Sequence, residues 1–206
     1  MNLLFINACV RGEKSRTLEL ARFYINSYIE KHPGDWFVTE LDLNSLDVKI
    51  QDRDELDRRE SLMKSAAWDD PMFDLAKQFM SADYIVIGAP YWDLQFPALL
   101  KIYLERISVS DLTFVYDEHG VPHGQCRAKE AAYVMTAGGY TGIPTADGHI
   151  ESMNYGYEYV YGLFTNLFSF EDVKLIKAEG LDIVGNDYRA ILDDTMRAIQ
   201  EEKSEK

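Results

Sequence analysis

Short apolar runs alternate along this chain with stretches in which apolar residues recur every three or four positions. Leu3-Leu4-Phe5-Ile6 is the first run, and a stripe at Leu18, Ala21, Ile25, Tyr28 and Ile29 follows it with the spacing of one helix face. Pro33-Gly34 closes that helix, and Trp36 to Leu41 reads as a second strand. From Asp52 to Glu60 nearly every residue is charged, the pattern of an exposed helix face or a connection. Met72, Leu75, Ala76, Phe79 and Met80 form another stripe, leading into Tyr84-Ile85-Val86-Ile87, the clearest buried strand. Leu100, Tyr103, Leu104 and Ile107 mark the next helix, and Ala131 to Thr136 a fourth strand. Val160, Leu163, Phe164 and Leu167 then mark a helix, Val173 to Ala178 a fifth strand, and Tyr188 to Ile199 the last helix, before a charged tail from Glu201 to Lys206 expected to fray. Five strands separated by helices predict an α/β domain over residues 1–206, with a parallel sheet covered on both faces. Right-handed crossovers leave few topologies. One interruption, Leu112 to Pro122 with a turn at Asp117-Glu118-His119-Gly120, predicts a small hairpin.

Composition narrows the function classes more than the fold. The 206 residues are 47% hydrophobic and 27% charged, ordinary for a globular protein. No apolar run approaches the ~20 residues that span a bilayer. The N-terminal run lacks the basic lead of a secretory signal, so a cytoplasmic protein is expected. A formal charge of −14 argues against nucleic acid or an anionic membrane as partner. Cys9 and Cys126 form no metal-ligand pair, and His119 and His123 fit a solvated turn, so no metal site is expected.

In open parallel sheets, ligands sit beyond the carboxyl ends of the strands, where strand order reverses. That rule selects the loops after strands one, three and four. The first, Asn7 to Thr17, runs directly into a helix. There Ser15 and Thr17 set hydroxyls beside free backbone amides, and Arg11 and Arg16 add charge, a combination suited to phosphate. Ser15 is equally the expected helix cap. No Gly-x-Gly-x-x-Gly or Gly-Lys-Ser/Thr loop is present, which disfavours a dinucleotide fold and a nucleotide triphosphatase. The second loop, Gly88 to Pro97, carries Pro90, Tyr91, Trp92, Asp93 and Leu94, and its aromatics suit a flat ring stacked at the strand mouth. The alternative is that Trp92 and Phe96 cover the core or a subunit contact. The third is Thr136-Ala137-Gly138-Gly139-Tyr140, where paired glycines allow close backbone approach to a ligand, or simply a turn.

Ser15-x-Thr17, Ala89-Pro90-aromatic leading into Pro97-x-x-Leu100-Lys101, Thr113-Phe114-x-Tyr116, Gly138-Gly139 and Ala178-Glu179-Gly180 together resemble the flavodoxin-like NAD(P)H:quinone oxidoreductases, most of all the FMN-dependent azoreductases. The resemblance covers nearly the whole chain. It implies a three-layer flavodoxin-like sandwich with strand order 2-1-3-4-5, and bound FMN. It further implies NADH or NADPH as co-substrate, a quinone or azo compound as oxidant, and homodimers with active sites at the subunit interface. By position, Arg11, Ser15 and Thr17, with Arg16 beside them, hold phosphate, while Pro90 to Leu94 and Thr136 to Tyr140 contact the flavin. The chain departs from the azoreductase pattern in having Tyr91-Trp92-Asp93-Leu94 where those proteins commonly show Met-Tyr-Asn-Phe. Asp93 would set a negative charge near the ring and shift its potential. It also has Ala137 where they carry an Arg or similar polar residue. His149 follows the Gly-Gly loop where related quinone reductases place a His, which makes it the candidate proton donor. A flavodoxin-type electron carrier shares fold and cofactor, but the charged insertion, the hairpin and the extra aromatics exceed what a carrier requires.

Overall fold

The computed structural model describes residues 1–202, so residues 203–206 of the expected charged tail lie outside the described residues. Five parallel strands form the central sheet: β1 (Asn2–Asn7), β2 (Phe37–Asp42), β3 (Tyr84–Gly88), β6 (Glu130–Thr136) and β9 (Asp172–Ala178), in the order β2-β1-β3-β6-β9. Counting only these strands, that is the expected 2-1-3-4-5 order. Two hairpins stand outside the sheet, β4 (Phe114–Tyr116) with β5 (Pro122–Gly124), and β7 (Gly142–Pro144) with β8 (Ile150–Ser152). The helices are α1 (Arg16–Lys31), α2 (Arg53–Lys64), α3 (Asp74–Ser81), α4 (Ala98–Ile107), α5 (Tyr155–Asn166) and α6 (Tyr188–Glu201). None of them is long and apolar enough to cross a membrane.

The apolar runs carry a hidden period of two, because successive side chains leave a strand on opposite faces. On one face, Leu4 and Ile6 of β1, Ile85 and Ile87 of β3, and Tyr133 and Met135 of β6 join Phe79, Leu104 and Phe164 from α3, α4 and α5. On the other, Leu3 and Phe5, Val86, and Ala132 and Val134 join Leu18, Ala21 and Ile25 of α1 and Leu192 and Ile199 of α6. Central strands buried on both faces cannot alternate apolar with polar, which is why they read as continuous runs. Each fully buried side chain of this size stabilises the fold by about 1.5–3 kcal/mol.

The charged stretch after Asp52 is a helix, and α2 contains no buried residue. Its partly buried Leu62 and Met63 pack on the small cluster of Phe73, Ala76 and Val109, and charge adds to that docking. Arg106 near the end of α4 donates to Glu55 Oε2 at 2.7 Å, and Arg59 donates to the carbonyls of Glu105 and Ser108 at the α4 terminus.

Candidate active site

The loop after β1 is shaped locally before it meets any ligand. Asn7 Oδ1 accepts from Cys9 N at 2.9 Å, and Gly12 N donates to Cys9 O at 3.0 Å. Gly12 adopts a φ of +52°, a left-handed conformation that Gly takes without a Cβ penalty. A single 3₁₀ turn over Gly12–Lys14 then delivers Ser15 as the cap of α1, where its Oγ accepts from Leu18 N at 3.3 Å. The cap assignment from sequence is therefore correct. It does not exhaust the residue, since the cap uses only the oxygen as acceptor and leaves the hydroxyl hydrogen, which the Cys9 thiol can also take, to be donated. Residues in a first helical turn have no preceding carbonyl to bond, so the amides of Arg16 and Thr17 are open donors at the positive end of the helix dipole.

Beyond Gly88, the third strand continues as an irregular edge along β6. Ala89 N donates to Val134 O and Tyr91 N to Thr136 O, both at 3.0 Å, with Pro90 between them. Trp92 and Gln95 then exchange backbone hydrogen bonds of 3.1 and 2.8 Å around a two-residue turn in which Asp93 and Leu94 have φ of +52° and +65°. Positive φ at both central positions is the geometry of a type I′ turn, costly for a branched residue such as Leu94. The turn is anchored behind by Tyr91 Oη, which donates to Met153 O at 3.1 Å.

These two loops and the end of β6 enclose one cavity of about 190 Å³. Its wall contains Arg11, Ser15, Arg16 and Thr17 from the first loop, Pro90, Tyr91 and Trp92 from the second, and Thr136 and Gly138 from the third. The structure thus brings together nine of the residues selected from sequence. Val10, Lys14 and Asp182 also line it. Lys14 was missed although it lies inside the chosen loop. Asp182 follows Ala178-Glu179-Gly180, and no local pattern marks it. Thr17 Oγ1 and Thr136 Oγ1 lie 2.7 Å apart and buried, joining the helix end to the strand end.

Five other candidates do not line the cavity. Asp93 and Leu94 project from the turn tip, exposed. Ala137 is buried, its amide bonded to Ala178 O and its carbonyl to Leu181 N. Gly139 stands in open space, and Tyr140 is exposed beside Gly180. Gly138 departs from its expected rationale, because a Cβ there would lie 2.5 Å from Asp182 Oδ2. The close approach it permits is to a carboxylate of the protein itself.

His149, the candidate proton donor, stands at the tip between β7 and β8 with its side chain 85% exposed and 3.9 Å from Asp147, outside the cavity wall. The β7–β8 hairpin itself was not anticipated: Ile143 and Ile150 are both exposed, so no buried face marks it. His123 sits in the exposed hairpin, 3.1 Å from Asp117. Cys9 is 1% exposed, and burial pushes its thiol up to about 11, against the opposing hydrogen bond with Ser15. It is a packed thiol rather than a reactive thiolate.

The electrostatics of the cavity reverse those of the chain. In a protein of net charge −14, Arg11, Lys14 and Arg16 converge on one wall. Glu13, the acid within that loop, is turned along α1 onto Arg22 at 2.8 Å. The donor set of hydroxyls, open helix amides and cations fits a phosphate, and Pro90, Tyr91 and Trp92 opposite fit a flat ring, so the residues present fit a flavin mononucleotide.

Fold and cleft together define a doubly wound α/β protein in which a helix end with Arg11, Lys14 and Arg16 and the loop of Pro90, Tyr91 and Trp92 line one cleft at the strand-order switch. The profile of the flavodoxin-like fold matches residues 1–202. The FMN-dependent NADH:quinone oxidoreductase of Coprothermobacter proteolyticus is 35% identical over 200 residues, covering 97% of this chain and 96% of that protein. The FMN-dependent NADH:quinone oxidoreductase 2 of Clostridium acetobutylicum is 32% identical, covering 98% of each. Among solved structures, an azoreductase from Bacillus anthracis superposes with a TM-score of 0.79 at 24% identity, over 98% of this chain and 97% of that one, a likeness of fold. The chain belongs to the flavodoxin-like fold family and, within it, to the FMN-dependent NADH:quinone oxidoreductases.

Proposed function

We propose that this protein is an FMN-dependent oxidoreductase that takes electrons from NADH and delivers them to a quinone or an azo compound. The observation that carries it is the single cleft in which the α1 terminus, with Arg11, Lys14, Ser15 and Thr17, faces Pro90, Tyr91 and Trp92. FMN, when bound, supplies the hydride chemistry. The protein's part is to hold and to shape. Open amides and hydroxyls at α1 grip the phosphate, and Trp92, half exposed at 49%, offers a flat apolar surface at the open side of the cleft. Asp93 beside it sets a carboxylate at that mouth and disfavours added negative charge there.

The relatives that match over full length are named as enzymes, which supports turnover of a small molecule over the electron-carrier alternative. A cytoplasmic location is part of the proposal, and NADH as co-substrate supports it. Trp92, exposed at the cleft, and Tyr155 and Tyr159, exposed on α5, fit a contact with a second copy of the chain, so a homodimer is part of the proposal. Sedimentation checks the dimer.

The purified protein is expected to be yellow, to bleach on anaerobic addition of NADH, and to recover its colour with a quinone. Double-reciprocal plots for NADH and quinone should be parallel. Yellow protein that NADH leaves unbleached would return the electron carrier, and colourless protein that refuses added FMN would sink the proposal.

A further inference from the structure

Arg16 lines the cleft between Ser15 and Thr17, yet its side chain is already engaged. Its Nη1 and Nη2 donate to the two carboxylate oxygens of Asp182 at 2.9 and 3.1 Å, a forked pair between residues 166 positions apart. Nη1 also lies 3.4 Å from Leu181 O, and the guanidinium stands 5.7 Å from the centre of the Tyr188 ring. Arg11 and Lys14, on the same wall, make no side-chain hydrogen bond or close ion pair with another described residue, although Arg11 is near enough to feel the charge of Asp182, so the cleft has two cations to offer an anion without Arg16.

Asp182 is in turn tied to the third loop. Its amide donates to Gly138 O at 2.9 Å, and Leu181 N donates to Ala137 O at 3.1 Å. Gly138 lacks the Cβ that would collide with the Asp182 carboxylate. One continuous chain of contacts therefore runs from the first turn of α1, through the Arg16 fork and Asp182, to the backbone of Ala137 and Gly138.

We propose that Arg16 is a positioning residue for the ring-binding end of the cleft and not a phosphate ligand. The fork on Asp182 fixes the Gly138 loop at a set distance from the helix end. The inference rests on the FMN reading above. Lysine binds phosphate well as a point charge but cannot reproduce a planar fork on a carboxylate, so Arg16→Lys separates the two roles.

The test is titration of apoprotein with FMN and with riboflavin, which has the ring and no phosphate, followed by flavin fluorescence. Asp182 is largely exposed, so the pair is of modest strength. Arg16→Lys and Asp182→Asn should each weaken both flavins by the same factor, about fivefold, and the double variant should be no weaker than either single one. The visible circular dichroism of FMN bound at saturation should change in all three, and the three variants should share one urea midpoint, slightly below that of the wild type, because each lacks the same pair. If Arg16→Lys binds FMN as the wild type does, or if Arg16→Met loses FMN affinity while riboflavin affinity holds, Arg16 is a phosphate ligand and the proposal is overturned. Additive losses in the double variant overturn it too. Wild-type protein that binds neither flavin removes the FMN reading itself, a result distinct from any of these.

Discussion

Ser15 has two possible duties, and two substitutions divide them. Its Oγ caps α1 through Leu18 N at 3.3 Å, and its residue is 8% exposed at the cavity wall. Ser15→Ala removes both duties. Loss of a cap costs about 1 kcal/mol, which in a chain of this size lowers the melting temperature by about 2–4 °C. Loss of one hydrogen bond to a charged group costs about 1.5–3 kcal/mol, so FMN affinity should fall roughly 10- to 150-fold. Ser15→Asp keeps the cap, because Asp and Ser cap about equally well, but sets a carboxylate where the phosphate would lie. Two unit charges about 4 Å apart repel by about 4 kcal/mol at an effective dielectric of 20, and solvent at the cleft mouth reduces that to about half. Added to the lost donor, this predicts roughly a thousandfold loss of FMN affinity with the melting temperature unchanged within about 2 °C. Riboflavin should bind both variants as it binds the wild type within about threefold, having no phosphate to repel. Paired thermal melts and fluorescence titrations measure all of this. If Ser15→Asp melts normally and binds FMN within tenfold of the wild type, the α1 terminus is not the phosphate site.

Three further outcomes follow from the packing and the charges. Phe164 is fully buried among Phe79, Phe168 and Phe170, with ring centres 4.9 to 5.7 Å away, so Phe164→Ala should cost about 3–5 kcal/mol in urea unfolding. Tyr103 is fully buried with no hydrogen-bond partner for its hydroxyl among the described residues, so Tyr103→Phe should leave the melting temperature unchanged or raise it by a few degrees; a fall would show that the hydroxyl has a partner. The hydrogen bond from Arg16 holds the Asp182 carboxyl below its ordinary value. Its contribution to stability is therefore complete above the unfolded aspartate value of about 3.9 and is lost as pH falls through the lower folded value. The urea midpoint difference between wild type and Asp182→Asn should accordingly shrink below about pH 4, and a difference constant from pH 7 to 3 would refute the pairing.

The order of the elements was legible because each apolar run or stripe is a local record of burial. Tyr84 to Ile87 reads as a strand on its own, and Leu18 to Ile29 as a helix face, since strand and helix periods are written within a few residues. The switch-point rule then turned that order into a place for the site, and nine residues of the cavity wall were found by it. What stayed hidden was either exposed or distant. The β7–β8 hairpin buries neither Ile143 nor Ile150, and so left no apolar pattern. The Arg16–Asp182 fork and the Thr17–Thr136 hydroxyl pair join residues 166 and 119 positions apart, and no window of sequence contains both partners. Composition and periodicity by themselves determined that helices would alternate with a parallel sheet, and the residue types after the first strand made that loop the expected phosphate cradle. Only the tertiary structure decided which cations of that loop are free and which is already held, because an ion pair depends on distance in space, and distance between loops is set by how the sheet brings their strands together.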